Sequence, residues 1–185
     1  MKTGSQMEIE IKLRLTSAAE GRRRLRKAGF RITGRRVFEQ NVIFDTPRLT
    51  LRRRGLLLRL RTTTGRASLV TFKGPAQRGK HKARKEIEFE IGDAGAFAQV
   101  VDALGYRPSF RYEKFRTEFR ETGVRPAGLA LLDETPVGTF LELEGSPRWI
   151  DGTARALGFS ETEYITATYA ELHRAARSGR RDMVF

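Results

Sequence analysis

From Met7 to Leu15 the chain reads Met-Glu-Ile-Glu-Ile-Lys-Leu-Arg-Leu, apolar at every odd position and charged at every even one. Side chains alternate between the two faces of a β-strand, so only a strand turns this order into one apolar and one charged face. The pattern returns twice. Over 84–91, Arg84, Glu86, Glu88 and Glu90 oppose Ile87, Phe89 and Ile91; over 110–120, Lys114, Arg116, Glu118 and Arg120 oppose Phe115, Thr117 and Phe119. A chain built this way must cover several apolar strand faces while keeping as many charged faces satisfied.

Shorter strands are expected over 37–44, 56–61 and 68–73, and a hairpin over 129–133 and 140–144 turns around Pro136–Gly138. Ser17 followed by Glu20 forms a capping-box pattern for a helix over 18–28, with Gly29 past its end. Periodicity predicts further helices over 93–104, 150–157 and 163–176. Gly74–Ala83 is expected to be a mobile loop, its basic stretch Arg78–Lys82 either a lid or simply mobile, and Ser178–Phe185 a loose tail. No repeat or low-complexity linker divides the chain. The expectation is one α+β domain over residues 1–185, with a core of about 7–172, built on an antiparallel sheet of about eight strands.

Composition excludes several classes. There is no cysteine, which removes disulfides, thiolate nucleophiles and Cys-ligated zinc. No run of eighteen apolar residues occurs, and the N-terminal stretch is charged too early for a signal sequence, so no membrane contact and a cytoplasmic location are expected. His81 and His173 lie far apart, which argues against a His-based metal site or triad. Gly74–Lys80 lacks the Walker spacing and a following Ser or Thr. The 36 Lys and Arg against 22 Asp and Glu leave a formal charge of +14, concentrated in residues 1–85 with 24 of the cations and 5 of the acids.

One charged strand face is ordinary solvent exposure. Five segments that place charges two apart are not: Glu8/Glu10/Lys12, Arg59/Arg61, Arg84/Glu86/Glu88, Lys114/Arg116 and Glu142/Glu144. With helices covering the apolar faces from outside, these rows would line a closed barrel. A buried row of one sign is prohibitive, whereas mixed rows can balance one another and bind a polyanion with its metal. The basic and acidic halves are then two contributions to one site, which moves a nucleic-acid partner well down the order.

The residues also carry a resemblance. Glu8-Ile9-Glu10-Ile11-Lys12 resembles the N-terminal ExExK signature of the CYTH superfamily, the group of class IV adenylate cyclases and thiamine triphosphatases also called triphosphate tunnel metalloenzymes. Phe44-Asp45-Thr46-Pro47, Leu58-Arg59-Leu60-Arg61, Thr71-Phe72-Lys73-Gly74-Pro75, Arg84-Lys85-Glu86-Ile87-Glu88, Lys114-Phe115-Arg116, Leu132-Asp133-Glu134 and Phe140-Leu141-Glu142-Leu143-Glu144 follow in the family's order. The resemblance implies a closed eight-stranded antiparallel barrel with helices outside, holding a triphosphate and Mg²⁺ or Mn²⁺ in its tunnel. It makes Glu8, Glu10 and Glu144 metal ligands, with Asp133 and Glu142 as neighbours or further ligands. It gives the phosphates to Lys12, Arg59, Arg61, Lys73, Arg84, Lys114 and Arg116, and a catalytic part to Lys12, Lys73, Glu86 and Glu88. Ile43 stands where many relatives have a tyrosine, so a mechanism using that phenol is not expected. Tyr169 matches a recurring tyrosine, for which packing is the expected role.

The implied activity is hydrolysis of inorganic triphosphate or of an organic one such as thiamine triphosphate. Cyclisation of ATP to cyclic AMP is the alternative, and a non-catalytic polyphosphate- or nucleotide-binding module the third. A homodimer is compatible with the sequence, which says nothing else about assembly.

Overall fold

Strand β1 (Gly4–Leu15) has a different neighbour at each end, and this organises the molecule. Residues 4–10 pair with β6 (Lys82–Ile91) and residues 10–15 with β9 (Gly138–Gly145). The remaining strands are β2 (Phe30–Ile32), β3 (Val37–Asp45), β4 (Leu57–Thr63), β5 (Ser68–Lys73), β7 (Arg107–Glu121) and β8 (Gly128–Thr135). They run β7-β3-β4-β5-β6-β1-β9-β8, and a β7–β8 pairing closes the ring. The result is a closed, antiparallel, eight-stranded barrel, with β2 added at the end of β7. The computed structural model describes residues 4–77, 79–123, 127–176 and 179–185.

Five helices pack outside: α1 (Ala18–Lys27), α2 (Thr50–Arg53), α3 (Ala94–Ala103), α4 (Pro147–Ala156) and α5 (Tyr169–Ala175). The apolar strand faces point toward them. Ile11, Leu13, Leu132, Leu141 and Leu143 are buried under Leu25 of α1 and Ile150 and Ala154 of α4. Gly21 permits the close approach of α1, since a Cβ there would meet Leu15 and Leu132 side chains at 2.7 Å. On the opposite wall, Val101 and Phe97 of α3 cover Phe44, Leu60 and Val70. With apolar faces outward and helix-covered, the charged faces are left inside.

Several expectations change. Ser17 does cap α1, accepting from the Glu20 N–H, but the Glu20 carboxylate turns to the N–H and hydroxyl of Thr16, so no reciprocal box forms. The expected helix over 163–176 begins only at Tyr169, behind a Thr168–Glu171 capping box. The preceding chain is extended, and Ile165 exchanges both backbone hydrogen bonds with Lys12. Residue 165 thus occupies the side of β1 that β6 vacates after Glu10. Arg52 and Arg53 lie in α2 and Arg54 caps its end, and β2 had too little alternation to be expected.

The tail over 179–185 is not loose. Met183 is fully buried and lies beside Tyr112, its N–H donating to the Arg111 carbonyl and its carbonyl accepting from the Glu113 N–H, and Phe185 packs on Phe38 and Phe115. Ser178 lies outside the described residues, as does Arg78 of the basic loop. The rest of that loop is tied down. Lys80 and His81 both bind Asp151 of α4, at 2.9 and 2.7 Å, and Lys82 already belongs to β6.

Candidate active site

Strand register decides which charges meet inside the barrel. Glu8 lies opposite Arg84, Glu10 opposite Lys82 and Lys12 opposite Glu142. Lys73 faces Glu86, Lys114 faces Glu39 and Arg116 faces Asp133. All six cross-strand pairs join opposite charges, the arrangement that stabilises a sheet face. One pair departs from the rule. Glu10 also lies opposite Glu144, and Glu8 follows on the same face. Carboxylate oxygens of Glu8, Glu10 and Glu144 all lie within 4.8 Å of one another.

The electrostatics follow this geometry. Burial would raise the Glu10 carboxyl, but Lys12 and Lys82 outweigh it and hold Glu10 well below the usual range. Glu8 is likewise held down against burial, chiefly by Lys73, whose Nζ lies 2.7 Å from Oε1. Glu144 forms no ion pair among the described residues, and burial, reinforced by Glu8 and only partly offset by Arg116, pushes it up to about 7. Three carboxylates around one point, one of them reluctant to ionise, match the hard-oxygen donor set of Mg²⁺ or Mn²⁺. The two other carboxylates expected near a metal are engaged differently. Asp133 is fully buried and accepts from Lys114 at 2.7 Å, from Arg116 at 2.7 and 2.6 Å and from the Tyr169 hydroxyl at 2.7 Å. Glu142 binds Lys12 at 3.3 Å and also meets Arg116. Neither belongs to the three-carboxylate group.

The cations line a cavity of about 720 Å³ running through the barrel. Arg59 donates to Thr71 at 3.0 Å and to the Tyr112 hydroxyl at 3.2 Å, and lies 3.5 Å from Glu88. Arg61 contacts Asn41 at 3.2 Å and Glu39 at 3.4 Å. Lys73 reaches Glu86 as well as Glu8. The Nε groups of Arg59 and Arg84 are buried without a hydrogen-bond partner, as are one Glu39 oxygen and the Asn41 amide nitrogen. Buried polar groups are normally satisfied. Two unsatisfied guanidinium donors in a polar cavity are groups that could donate to an anion.

Four tunnel residues escaped the sequence reading. Lys82 was assigned to the loop, although its place one step before the alternation of β6 was a usable signal. Glu39, Asn41 and Tyr112 sit on strands whose inner faces mix polar and apolar residues, which hides the period. Tyr112 restores a phenol to the tunnel from β7, on the strand beside Ile43. Its hydroxyl is depressed below the usual phenol value: burial would raise it, but Arg59 outweighs burial. Tyr169 packs, as expected, on Phe140 and Tyr112, and its ring also lies 5.3 Å from the Lys12 ammonium and 5.1 Å from that of Lys114.

The interior is also balanced. With Arg66 and Arg120 counted beside Lys12, Arg59, Arg61, Lys73, Lys82, Arg84, Lys114 and Arg116, and Glu118 beside Glu8, Glu10, Glu39, Glu86, Glu88, Asp133, Glu142 and Glu144, ten cations meet nine acids, a balance to within one charge. Nearly all of the chain's net charge of +14 therefore sits outside the barrel interior.

A closed antiparallel barrel with a charge-lined interior and helices outside defines a tunnel protein of the triphosphate type. The chain belongs to the CYTH family, whose CYTH domain matches residues 6–177. A Methanocaldococcus jannaschii protein named as a candidate adenylate cyclase, MJ0240, is 27% identical over 90% of this chain and 98% of its own. The PH1819 protein of Pyrococcus horikoshii shares 25% identity and superposes with a TM-score of 0.74, over 92% of this chain and 99% of that one. A Hippeastrum protein named as a candidate adenylyl cyclase and described as having a dominant triphosphatase activity superposes with a TM-score of 0.64 at 19% identity, over 94% and 96% of the two chains. CYTH proteins are triphosphatases or adenylate-cyclase-like, act on triphosphates such as ATP and generally use divalent metals. No helix among the described residues is long and apolar enough to cross a membrane.

Proposed function

We propose that this chain is a divalent-metal-dependent triphosphatase, hydrolysing inorganic triphosphate or an organic triphosphate such as thiamine triphosphate. The observation that carries the proposal is the pairing of Glu10 with Glu144 beside Glu8, the one like-charged pair that β1 makes with its two neighbouring strands. Two carboxylates directly opposite each other destabilise a sheet, unless a cation belongs between them.

Glu8, Glu10 and Glu144 would hold Mg²⁺ or Mn²⁺. When bound, such an ion supplies charge neutralisation at the phosphate oxygens, the main requirement of phosphoryl transfer. Lys12, Arg59, Arg61, Lys73, Arg84, Lys114 and Arg116 bind the phosphate chain, and Lys82 and the Tyr112 hydroxyl join them. Glu88 orients Arg59 through Thr71, which donates to it at 2.8 Å. Glu86, whose carboxyl is raised mainly by burial, takes the proton as the attacking water's oxygen bonds to the terminal phosphorus. The bridging P–O bond breaks, and orthophosphate leaves from the remaining di- or organic phosphate.

Cyclisation of ATP is the second reading, favoured by the name of the M. jannaschii relative. Incubating the protein with inorganic triphosphate, thiamine triphosphate and ATP, each with Mg²⁺ or Mn²⁺, separates the two through phosphate, pyrophosphate and cyclic AMP. Metal-dependent phosphate release is expected, and the double variant Glu8→Gln/Glu10→Gln should lose about 10²–10³-fold in turnover while staying folded. Tight triphosphate binding with no turnover of any substrate would leave only a binding module.

A further inference from the structure

Because the interior is charge-balanced, the +14 has to be accounted for on the outside, and α1 shows where it concentrates. The helix sequence is Ala-Ala-Glu-Gly-Arg-Arg-Arg-Leu-Arg-Lys. Ala18, Gly21 and Leu25 face the barrel. Arg22, Arg23, Arg26 and Lys27 fall within about 140° of arc on the opposite face, at 100° per residue. The last three are exposed and Arg22 is half-buried, and none of the four forms an ion pair or side-chain hydrogen bond among the described residues. The single acid of the helix, Glu20, is already taken by Thr16 and Arg24.

The neighbouring helix extends the surface. Leu25 shares its apolar cluster with Ile150, Ala154 and Leu157 of α4 and its C-cap, and Arg24 donates to the Leu157 carbonyl at 2.8 Å. Exposed Arg148 and Arg155, seven residues apart and so on one side of α4, stand on this same helical layer. The spacing on α1 is unfavourable for the helix alone: 22/26 and 23/27 are like-charged i,i+4 pairs, each costing about 0.2–0.5 kcal/mol. An anionic partner reverses that sign.

We propose that the outer face of α1, with α4 beside it, binds the phosphodiester backbone of a nucleic acid independently of the tunnel. The four cations of α1 span about 7.5 Å along the helix axis at 1.5 Å per residue. A duplex presents about four phosphate charges over that length, one per 1.7 Å. An anionic membrane is the poorer fit, because interfacial helices insert an apolar face and the apolar face of α1 is buried against the barrel. Contacts of this kind position without reading bases, so binding is sequence-independent.

The test is fluorescence anisotropy of a short random-sequence DNA duplex with the whole protein. About six phosphate contacts predict a slope of log K against log salt near −5, and about a 10³-fold loss of affinity between about 50 and 200 mM salt. The variant Arg22→Gln/Arg23→Gln/Arg26→Gln/Lys27→Gln keeps good helix formers on a solvent face. It should reduce the slope to about −2, while the melting temperature stays the same or rises slightly as the like-charged pairs are removed, and the thermal shift by inorganic triphosphate is unchanged. Saturating inorganic triphosphate should not displace the duplex from the wild-type protein. Displacement by triphosphate, no binding at low salt, or binding unaltered by the quadruple variant would each overturn the proposal. So would capture by phosphatidylserine vesicles, through the same four residues, by a protein that ignores the duplex.

Discussion

Asp133 on β8 and Glu144 on β9 lie on neighbouring strands of one barrel and inhabit opposite electrostatic settings. Asp133 is enclosed by Lys114, Arg116 and the Tyr169 hydroxyl, with three donors on Oδ2 and one on Oδ1. Glu144 faces Glu10 and Glu8, and burial raises it to about 7. A carboxylate surrounded by its own cations is part of the fixed scaffold, and orients Lys114 and Arg116 toward the cavity. A carboxylate set among carboxylates is held ready for a cation that the chain does not supply. Residue type would have put both among the metal ligands; their surroundings separate them.

The sharpest way to break the comparison is to remove each carboxylate in turn and follow stability of the metal-free protein. Asp133→Asn leaves the two cations of Lys114 and Arg116 buried with Glu39 and Glu142 as their remaining acids. Removing one partner of a buried ion pair costs about 3–5 kcal/mol, so denaturant unfolding should show a loss of that size. A triphosphate brings its own negative charge to the same cations and should recover part of it. A loss below about 1 kcal/mol would place Asp133 with the exposed, weakly coupled pairs.

Glu144→Gln should act in the other direction. Between about 4.5 and 7 the folded protein keeps a proton on Glu144 that the unfolded chain has released. Stability therefore falls as pH rises through that window, and the full cost is present above 7. Glutamine removes the cost, so at pH 8 the metal-free variant should be more stable than wild type by an amount on the order of 3 kcal/mol. Metal affinity should meanwhile drop roughly 10–100-fold. In the wild type a metal displaces that one proton, so apparent affinity should rise by about tenfold per pH unit below 7 and level off above it. Titration calorimetry in buffers of different ionisation enthalpy measures the proton released. A pH-independent affinity would show that Glu144 lies outside the metal site.

Most of the barrel was legible because alternation is strict where one face meets helices and the other meets charges. Met7–Leu15 and Arg84–Ile91 are unambiguous for this reason. Legibility failed where long-range partners override local pattern. The turn 164–168 looked helical, yet it fills the edge of β1 left by β6, a vacancy that depends on register rather than on its own residues. The tail carries few apolar residues, but Met183 and Phe185 find a surface made by β3 and β7. In the site, residue types identified both rows, while register identified the one like-charged pair. Charge counted along the sequence could not tell an inner from an outer arginine, and so did not single out the outer cations that cluster on α1.

Two phenols extend the comparison to neutral groups, with the smallest expected effect. Tyr169 gives its proton to Asp133 and belongs to the satisfied corner. Tyr112 accepts from Arg59, and its own proton has no acceptor among the described residues, although the ring lines the cavity. That proton is available to a phosphate oxygen. Tyr112→Phe keeps the stacking on Phe110 and Tyr169, because only the hydroxyl is removed. A hydrogen bond to a charged acceptor contributes about 1.5–3 kcal/mol, so the variant should bind inorganic triphosphate about 10–100-fold more weakly, with its melting temperature little changed. Tyr169→Phe strips a donor from buried Asp133 instead, and should lower stability by about 1–3 kcal/mol while leaving triphosphate affinity closer to wild type. If the two variants exchange these behaviours, the division between a satisfied corner and a waiting one is drawn in the wrong place.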